Sequence, residues 1–331
     1  EGAQRNVVGG GTAGERNIVS ANENGVWLHH DGTDHNLIRG NYIGTDPGGT
    51  LPLGNAINGV GMMDGPQFNV VGGTSAGERN VICDSGNGVS ISGIGTTDNV
   101  VVGNYIGTDA TGAASLGHYW NGAQIMDGAQ RNRIGGQDPG ERNVISGNEN
   151  GVQIGGGPGT DENLIAGNYI GIDATGANVL GNAVNGVYIW EEAQANDVVG
   201  NVIGGSHSGV WIAHSGTTHN TVRGNYLGTN AAGGDGMGNL RGVVVSGGAT
   251  HNVIGGASES DRNVISRNDY VGILIGQVGS DHNTITRNSI FDNGSLGIDL
   301  YDGGNADLPA PAITTFDLAL GTASGTACAN C

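Results

Sequence analysis

The chain contains no lysine. Its twelve basic residues, among 331, are all arginines; they face thirty-one acids, and the formal net charge is −19. A surface of that sign repels polyanions, which argues against nucleic acid and anionic membranes as partners. Pectate and alginate, themselves polyanionic, are disfavoured for the same reason unless calcium bridges the charges. Long apolar runs are also missing, and nothing approaches the roughly eighteen residues of a spanning helix. Aromatics make up only 5% of the chain, so each large ring is worth locating. Cysteine is nearly absent. Cys83 occupies a slot held elsewhere by Ser20, Ser146 and Ser266, which reads as a small buried residue. Cys328 and Cys331 stand at the very end, where a local disulfide or half a metal site is the choice left open.

Glycine, by contrast, is abundant, with sixty-seven copies, and it recurs with a period. Asn24-Gly-Val-Trp-Leu28, Asn58-Gly-Val-Gly-Met62, Asn87-Gly-Val-Ser-Ile91, Asn121-Gly-Ala-Gln-Ile125, Asn150-Gly-Val-Gln-Ile154 and Asn185-Gly-Val-Tyr-Ile189 are versions of one phrase. Ser208-Gly-Val-Trp-Ile212, Arg241-Gly-Val-Val-Val245, Val271-Gly-Ile-Leu-Ile275 and Leu296-Gly-Ile-Asp-Leu300 continue it. Each is a turn residue and glycine before an apolar–variable–apolar triplet, the period-2 signature of a strand with one buried face. The glycines are 34, 29, 34, 29, 35, 23, 33, 30 and 25 residues apart, so the larger unit is two turns of about 63 residues. Shorter runs such as Asn36-Leu-Ile38 and Asn41-Tyr-Ile-Gly44 supply two more strands per turn. Ten such turns, with no helical period, predict an all-β parallel β-helix over residues 1–302, a rod about 45–50 Å long.

These repeats resemble the right-handed parallel β-helix, or pectin-lyase-like, superfamily. The resemblance implies a right-handed coil and leaves the function open, because that fold hosts lyases, hydrolases, epimerases, adhesins and binding modules. Polygalacturonases of that fold carry Gly-His-Gly and Arg-x-Lys motifs, and alginate epimerases carry Asp-Pro-His-Glu; none of these occurs here. Pectate lyases need calcium-binding carboxylates with a basic residue, and most arginines of this chain belong to the repeat. Asp46, Asp109 and Asp173 recur every second turn, where capping of their own loops competes with a calcium ladder. The Gly-Glu-Arg-Asn loops at 14–17, 77–80 and 140–143 read as ties between neighbouring loops. The chain starts in mid-turn, and residues 303–331 read as a linker and the start of a following β domain, so the parent protein is expected to be secreted and multidomain.

The repeat breaks between Gly186 and Gly209, where one Gly-Glu-Arg-Asn loop is missing and a recess is expected beside it. In each long strand the residue x and the one after the isoleucine face outward. Those columns collect Trp27, Tyr188, Trp190 and Trp211, with Glu191, Glu192, His207 and His214 close in sequence; Trp120 stands apart, beside His118 and Tyr119. Rings in line on a flat sheet suit the C–H faces of pyranoses, while carboxylates take the hydroxyls. The site residues for carbohydrate are therefore Trp27, Trp120, Tyr188, Trp190, Glu191, Glu192, Trp211 and His214, with no catalytic set, no metal ligand and no cofactor. Glu191 and Glu192, as neighbours on a strand, would point to opposite faces and make a poor acid–base pair. The sequence supports a non-catalytic module, part of a secreted polysaccharide-degrading protein, for a neutral or weakly charged plant β-glycan such as xylan. An enzyme centred on Glu191, Glu192, His214 and Arg223 is the first alternative, and an adhesive rod the second.

Overall fold

The computed structural model describes residues 2–230, 232, 234, 236–307, 312–317 and 322–326. Three parallel sheets of ten strands each form the faces of a three-sided β-helix with ten turns. The first sheet runs from Val7–Gly9 to Thr284–Thr286, the second from Ile18–Val19 to Ser289–Phe291, and the third from Asn24–His29 to Ile298–Tyr301. The third sheet holds the longest strands, and they are the Gly-Val-x-Ile phrases of the repeat. Ile125, Ile154, Ile189 and Ile212 pair in register from turn to turn and are fully buried, so the inward face is the expected one. Cys83 is buried beside Val81, Tyr105 and Val144, and burial pushes its thiol up to about 12. Cys328 and Cys331 lie outside the described residues.

The corners impose a harder requirement than the faces. A chain that turns three times per coil buries backbone N–H and C=O groups at every corner, and each needs a partner. Asparagine supplies one, because its amide carries a donor and an acceptor that translate onto the next turn. From Asn6 to Asn283, each asparagine at the corner before the first sheet sends its backbone N–H to the Oδ1 of its successor. Asn305 takes the last rung. A second ladder climbs from Asn17 to Asn288 before the second sheet. The spare amide hydrogen holds a strand carbonyl, as where Asn168 donates to the oxygen of Ile134 at 2.9 Å.

The third ladder contains a histidine. Asn55, Asn182 and Asn239 each give Nδ2 to a carbonyl of the preceding turn. At the same rung His118 gives Nε2–H to Ile82 at 3.0 Å, while its Nδ1 accepts the N–H of Ser85 at 3.1 Å. The neutral ring thereby imitates the amide. Burial lowers its pKa to about 4, since a charged ring would be stranded and Nδ1 could no longer accept.

The loops tie the turns together as the repeat suggests. Arg16, Arg79 and Arg142 lay their guanidinium groups 3.8–4.0 Å from the ring centres of Tyr42, Tyr105 and Tyr169. Asp46, Asp109 and Asp173 each accept two or more backbone N–H groups of their own loop. That is the capping role. At the chain end, Ala312–Asp317 pairs antiparallel with Thr322–Thr326.

Two outcomes follow from the ladders. Asn168→Ala orphans the backbone and side-chain donors of Asn143 in the interior and removes the Nδ2 bonds to Asn201 and Ile134, while Asn201 keeps the residue 168 backbone N–H. It should cost on the order of 3–5 kcal/mol in urea unfolding, from about 1–3 per buried orphan; a loss below about 1 kcal/mol would mean that the ladder is incidental. For His118, a folded-state value of about 4 against 6.5 means that the unfolded chain takes up the proton first as pH falls. Its contribution is complete above pH 6.5 and is lost toward pH 4, by up to about 3 kcal/mol. His118→Asn restores the amide rung and should flatten that part of the curve, whereas identical slopes in the two proteins would refute the assignment.

Candidate functional site

The outward columns of the third sheet stand in the expected register. Trp27 pairs with Gly61, Gln153 with Tyr188, Tyr188 with Trp211, and Trp211 with Val244. The rings of turns six and seven gather into one patch. Tyr188 lies 5.0 Å from Trp211 and 5.5 Å from Trp190, with planes 28° and 17° apart. His214 meets Trp190 edge-on at 5.7 Å. Such offset stacks lock the rings to one another.

These rings are half-buried rather than freely exposed. The reason lies in their small neighbours. Trp190 lies across Gly155 of the preceding turn, where any Cβ would collide with the indole. Trp211 leans the other way: its Nε1–H donates to the Ser246 hydroxyl at 2.8 Å and its ring shields Val244. Burial also raises the Tyr188 phenol, and the charge of Glu191 adds to the effect.

Beside this patch opens a recess of about 260 Å³ lined by Gly156, Gly157, Pro158, Glu191, Glu192 and His214. Glu191 and Glu192 form the turn that leads out of the strand Asn182–Ile189, and both line this one recess. Strand alternation therefore does not separate them, contrary to the sequence reading. Both adopt left-handed backbone, with φ of 45° and 66°. The equivalent second turn position is Gly65, Gly128 or Gly248 in sibling turns. There, as at Glu192, the N–H donates to a hydroxyl one turn on. A glutamate in that place carries backbone strain of roughly 1 kcal/mol that glycine avoids. The signal was present in the sequence, in the glycines of the sibling turns.

Two other expectations need correcting. The missing loop is at Gly200-Asn201, between strands Asp197–Val199 and Val202–Ile203. That is the corner between the first and second sheets, whereas the recess forms where the third sheet turns into the first. Arg223 does not join Glu191 and His214, since its guanidinium pairs with Asp197 at 3.0 Å and Asp261 at 3.3 Å. Trp27 and Trp120 stand apart from the patch. Trp27 is five turns away, about 24 Å by strand spacing, and packs near His29 at 5.7 Å. Trp120 sits at the opposite end of the long strands, beside Tyr119. His207, also remote in the strand, faces Arg241 at 3.2 Å.

Comparison with known proteins places this geometry. A search of curated proteins returns no match. Among solved structures, the A-module of Azotobacter vinelandii mannuronan C-5 epimerase AlgE4 is 16% identical, with a TM-score of 0.50 over 88% of this chain and 79% of that one. The periplasmic alginate epimerase AlgG is 14% identical with a TM-score of 0.46, over 83% of this chain and 61% of its own length. At such identities the likeness concerns the fold, a right-handed parallel β-helix of the pectin-lyase-like kind. Residues 142–308, just over half of the sequence, match the family model described as periplasmic copper-binding protein (NosD), and the chain belongs to that family.

Proposed function

We propose that the chain is a non-catalytic carbohydrate-binding module of a secreted polysaccharide-degrading protein, and that it recognises a neutral β-glycan of the xylan type. The observation that carries this reading is the ring patch of Tyr188, Trp190 and Trp211 beside the Glu191–Glu192 recess. Held on a sheet whose corners are fixed by ladders, the patch is preorganised and loses little entropy on binding. Its apolar surface suits sugar C–H faces, and the two carboxylates accept hydroxyls. Strain kept at Glu192 is consistent with a functional role for that side chain.

An enzyme is the second reading, favoured by one observation: two carboxylates and an imidazole share the recess, which is the equipment of general acid–base chemistry. The A-module of AlgE4, similar in fold, is a mannuronan C-5 epimerase by name. A uronate chain would bring its own carboxylates against Glu191 and Glu192, which favours a neutral ligand here.

The family description also names copper. Among the described residues no three His, Cys, Asp or Glu side chains stand so as to hold one metal ion, and Glu191, Glu192 and His214 are no exception; the buried Cys83 thiol, at about 12, is a poor source of thiolate. These residues do not fit a copper centre, so the binding mechanism is built on the rings and carboxylates alone.

Titration with xylohexaose tests the reading. Trp190→Ala should weaken binding by about five- to thirtyfold, on the order of 1–2 kcal/mol; unchanged affinity removes the site. Glu192→Gly should raise stability by about 1 kcal/mol while lowering affinity. A glycine variant that binds as well as the parent would leave the strain without a function. Incubation with xylan, pectate or alginate, with and without calcium, should release no product. Turnover that Glu191→Gln abolishes would instead establish the enzyme.

A further inference from the structure

A larger cavity lies elsewhere. At the corner between the second and third sheets, a cleft of about 640 Å³ crosses the first four turns, from Asn22 to Trp120. Its volume falls in the range of small-ligand sites. Tyr119 and Trp120 form its wall. Their rings stand at 72° with centres 5.7 Å apart, and they are 79% and 44% exposed.

The sequence departs from its own repeat at this corner and on both sides of it. Turn two carries Ala56-Ile57 here and turn six carries Ala183-Val184, whereas turn four carries Tyr119-Trp120. The backbone hydrogen bonds are alike in all three. Each pair donates its two N–H groups to the carbonyls of the preceding turn. Across the cleft, turns one and five place Glu23 and Glu149, but turn three places Gly86, and a Cβ there would come within 2.8 Å of the Trp120 ring. The ladder rung beneath is His118 instead of asparagine. A glycine that makes room, a pair of rings that fills it and a reshaped rung therefore occur together. Packing does not explain the rings, because alanine with isoleucine or valine closes the sibling corners.

We propose that this cleft is a second saccharide-binding site, taking a segment of a neutral β-linked glycan independently of the Trp190 patch. Trp120 and Tyr119 present two walls for pyranose C–H faces. The exposed Asp84, whose Oδ2 accepts the Gly54 N–H at 2.8 Å, brings a carboxylate to the rim for hydroxyls. That carboxylate and the net charge of −19 disfavour an anionic sugar. The two sites lie at opposite ends of the third-sheet strands: Trp120 precedes Asn121–Met126 and Trp190 follows Asn182–Ile189. One chain would hold two separate glycan segments.

The test uses the whole chain and the double variant Tyr119→Ala/Trp120→Val, which restores the pattern of Ala183-Val184 and should melt as the parent does. Xylohexaose and cellohexaose are titrated calorimetrically into the parent, the double variant and Trp190→Ala. The expected result is two sites per parent chain for one of these sugars, with the double variant and Trp190→Ala each weakening one of them at least fivefold and leaving the other as in the parent. A folded double variant with unaltered stoichiometry and affinity overturns the proposal. If the double variant abolishes binding and Trp190→Ala changes nothing, the cleft stands and the ring-patch reading fails. No binding of either oligosaccharide to the parent overturns both.

Discussion

Everything in this rod depends on satisfying the buried amides at its corners. The apolar interior alone would tolerate many sequences, since valine, isoleucine, leucine and methionine exchange readily along an inward stack. A corner is less forgiving. Each one turns the backbone through a buried bend, where an unpaired N–H costs about 1–3 kcal/mol. The amide of asparagine meets the need because its acceptor takes the previous rung and its donors reach the next rung and a strand carbonyl, as at Asn168. The repeat is periodic because the ladder is: a rung that moved by one residue would miss both neighbours.

That constraint also explains where variation is allowed. Residues on the outer face of the third sheet take no part in the ladders, so Trp27, Gln124, Tyr188, Val244 and Asp299 can occupy one outward column without disturbing the coil. Where a ladder position changes, a substitute can reproduce the hydrogen bonds, although the Ser206 hydroxyl at one rung finds no partner. His118 is the clearest case, with Nδ1 and Nε2 taking the parts of Oδ1 and Nδ2. Glu192 is the opposite case, a departure that the backbone does not favour. Local rules broken inside a regular frame mark the places where function is imposed on folding.

The register was legible in the sequence because period 2 is strict in a strand: the column through Trp27, Tyr188 and Trp211 needs only the inward isoleucines to fix it. The posture of the rings was less legible. Alternation says outward, but whether a ring stands free or lies down depends on the neighbouring strand, and Gly155 beside Trp190 lets it lie down. The recess was misplaced because a missing loop affects only its own corner, and a linear sequence does not say which corner that is. Strand alternation would send Glu191 and Glu192 to opposite faces, but they sit in a turn. The cleft at Trp120 escaped notice for another reason. Its walls come from four turns, and only a comparison of siblings at one corner shows how far Gly86, His118, Tyr119 and Trp120 depart from the repeat.

The charge of the molecule belongs to the same logic. Of twelve arginines, three cover tyrosines in the long loops and five pair with carboxylates across or within loops. Most of the positive charge is thus engaged in holding turns to one another, while many acids remain on the surface without a counter-charge. Guanidinium groups held in this way are not free to clamp an anionic polymer. The ring patch with Glu191 and Glu192, and the cleft with Asp84, share one feature: aromatic surface edged by negative charge. Such edges accept hydroxyl hydrogens and reject carboxylates. The preference for uncharged glycans that we propose would follow from how the scaffold uses its arginines as much as from the residues that line the sites.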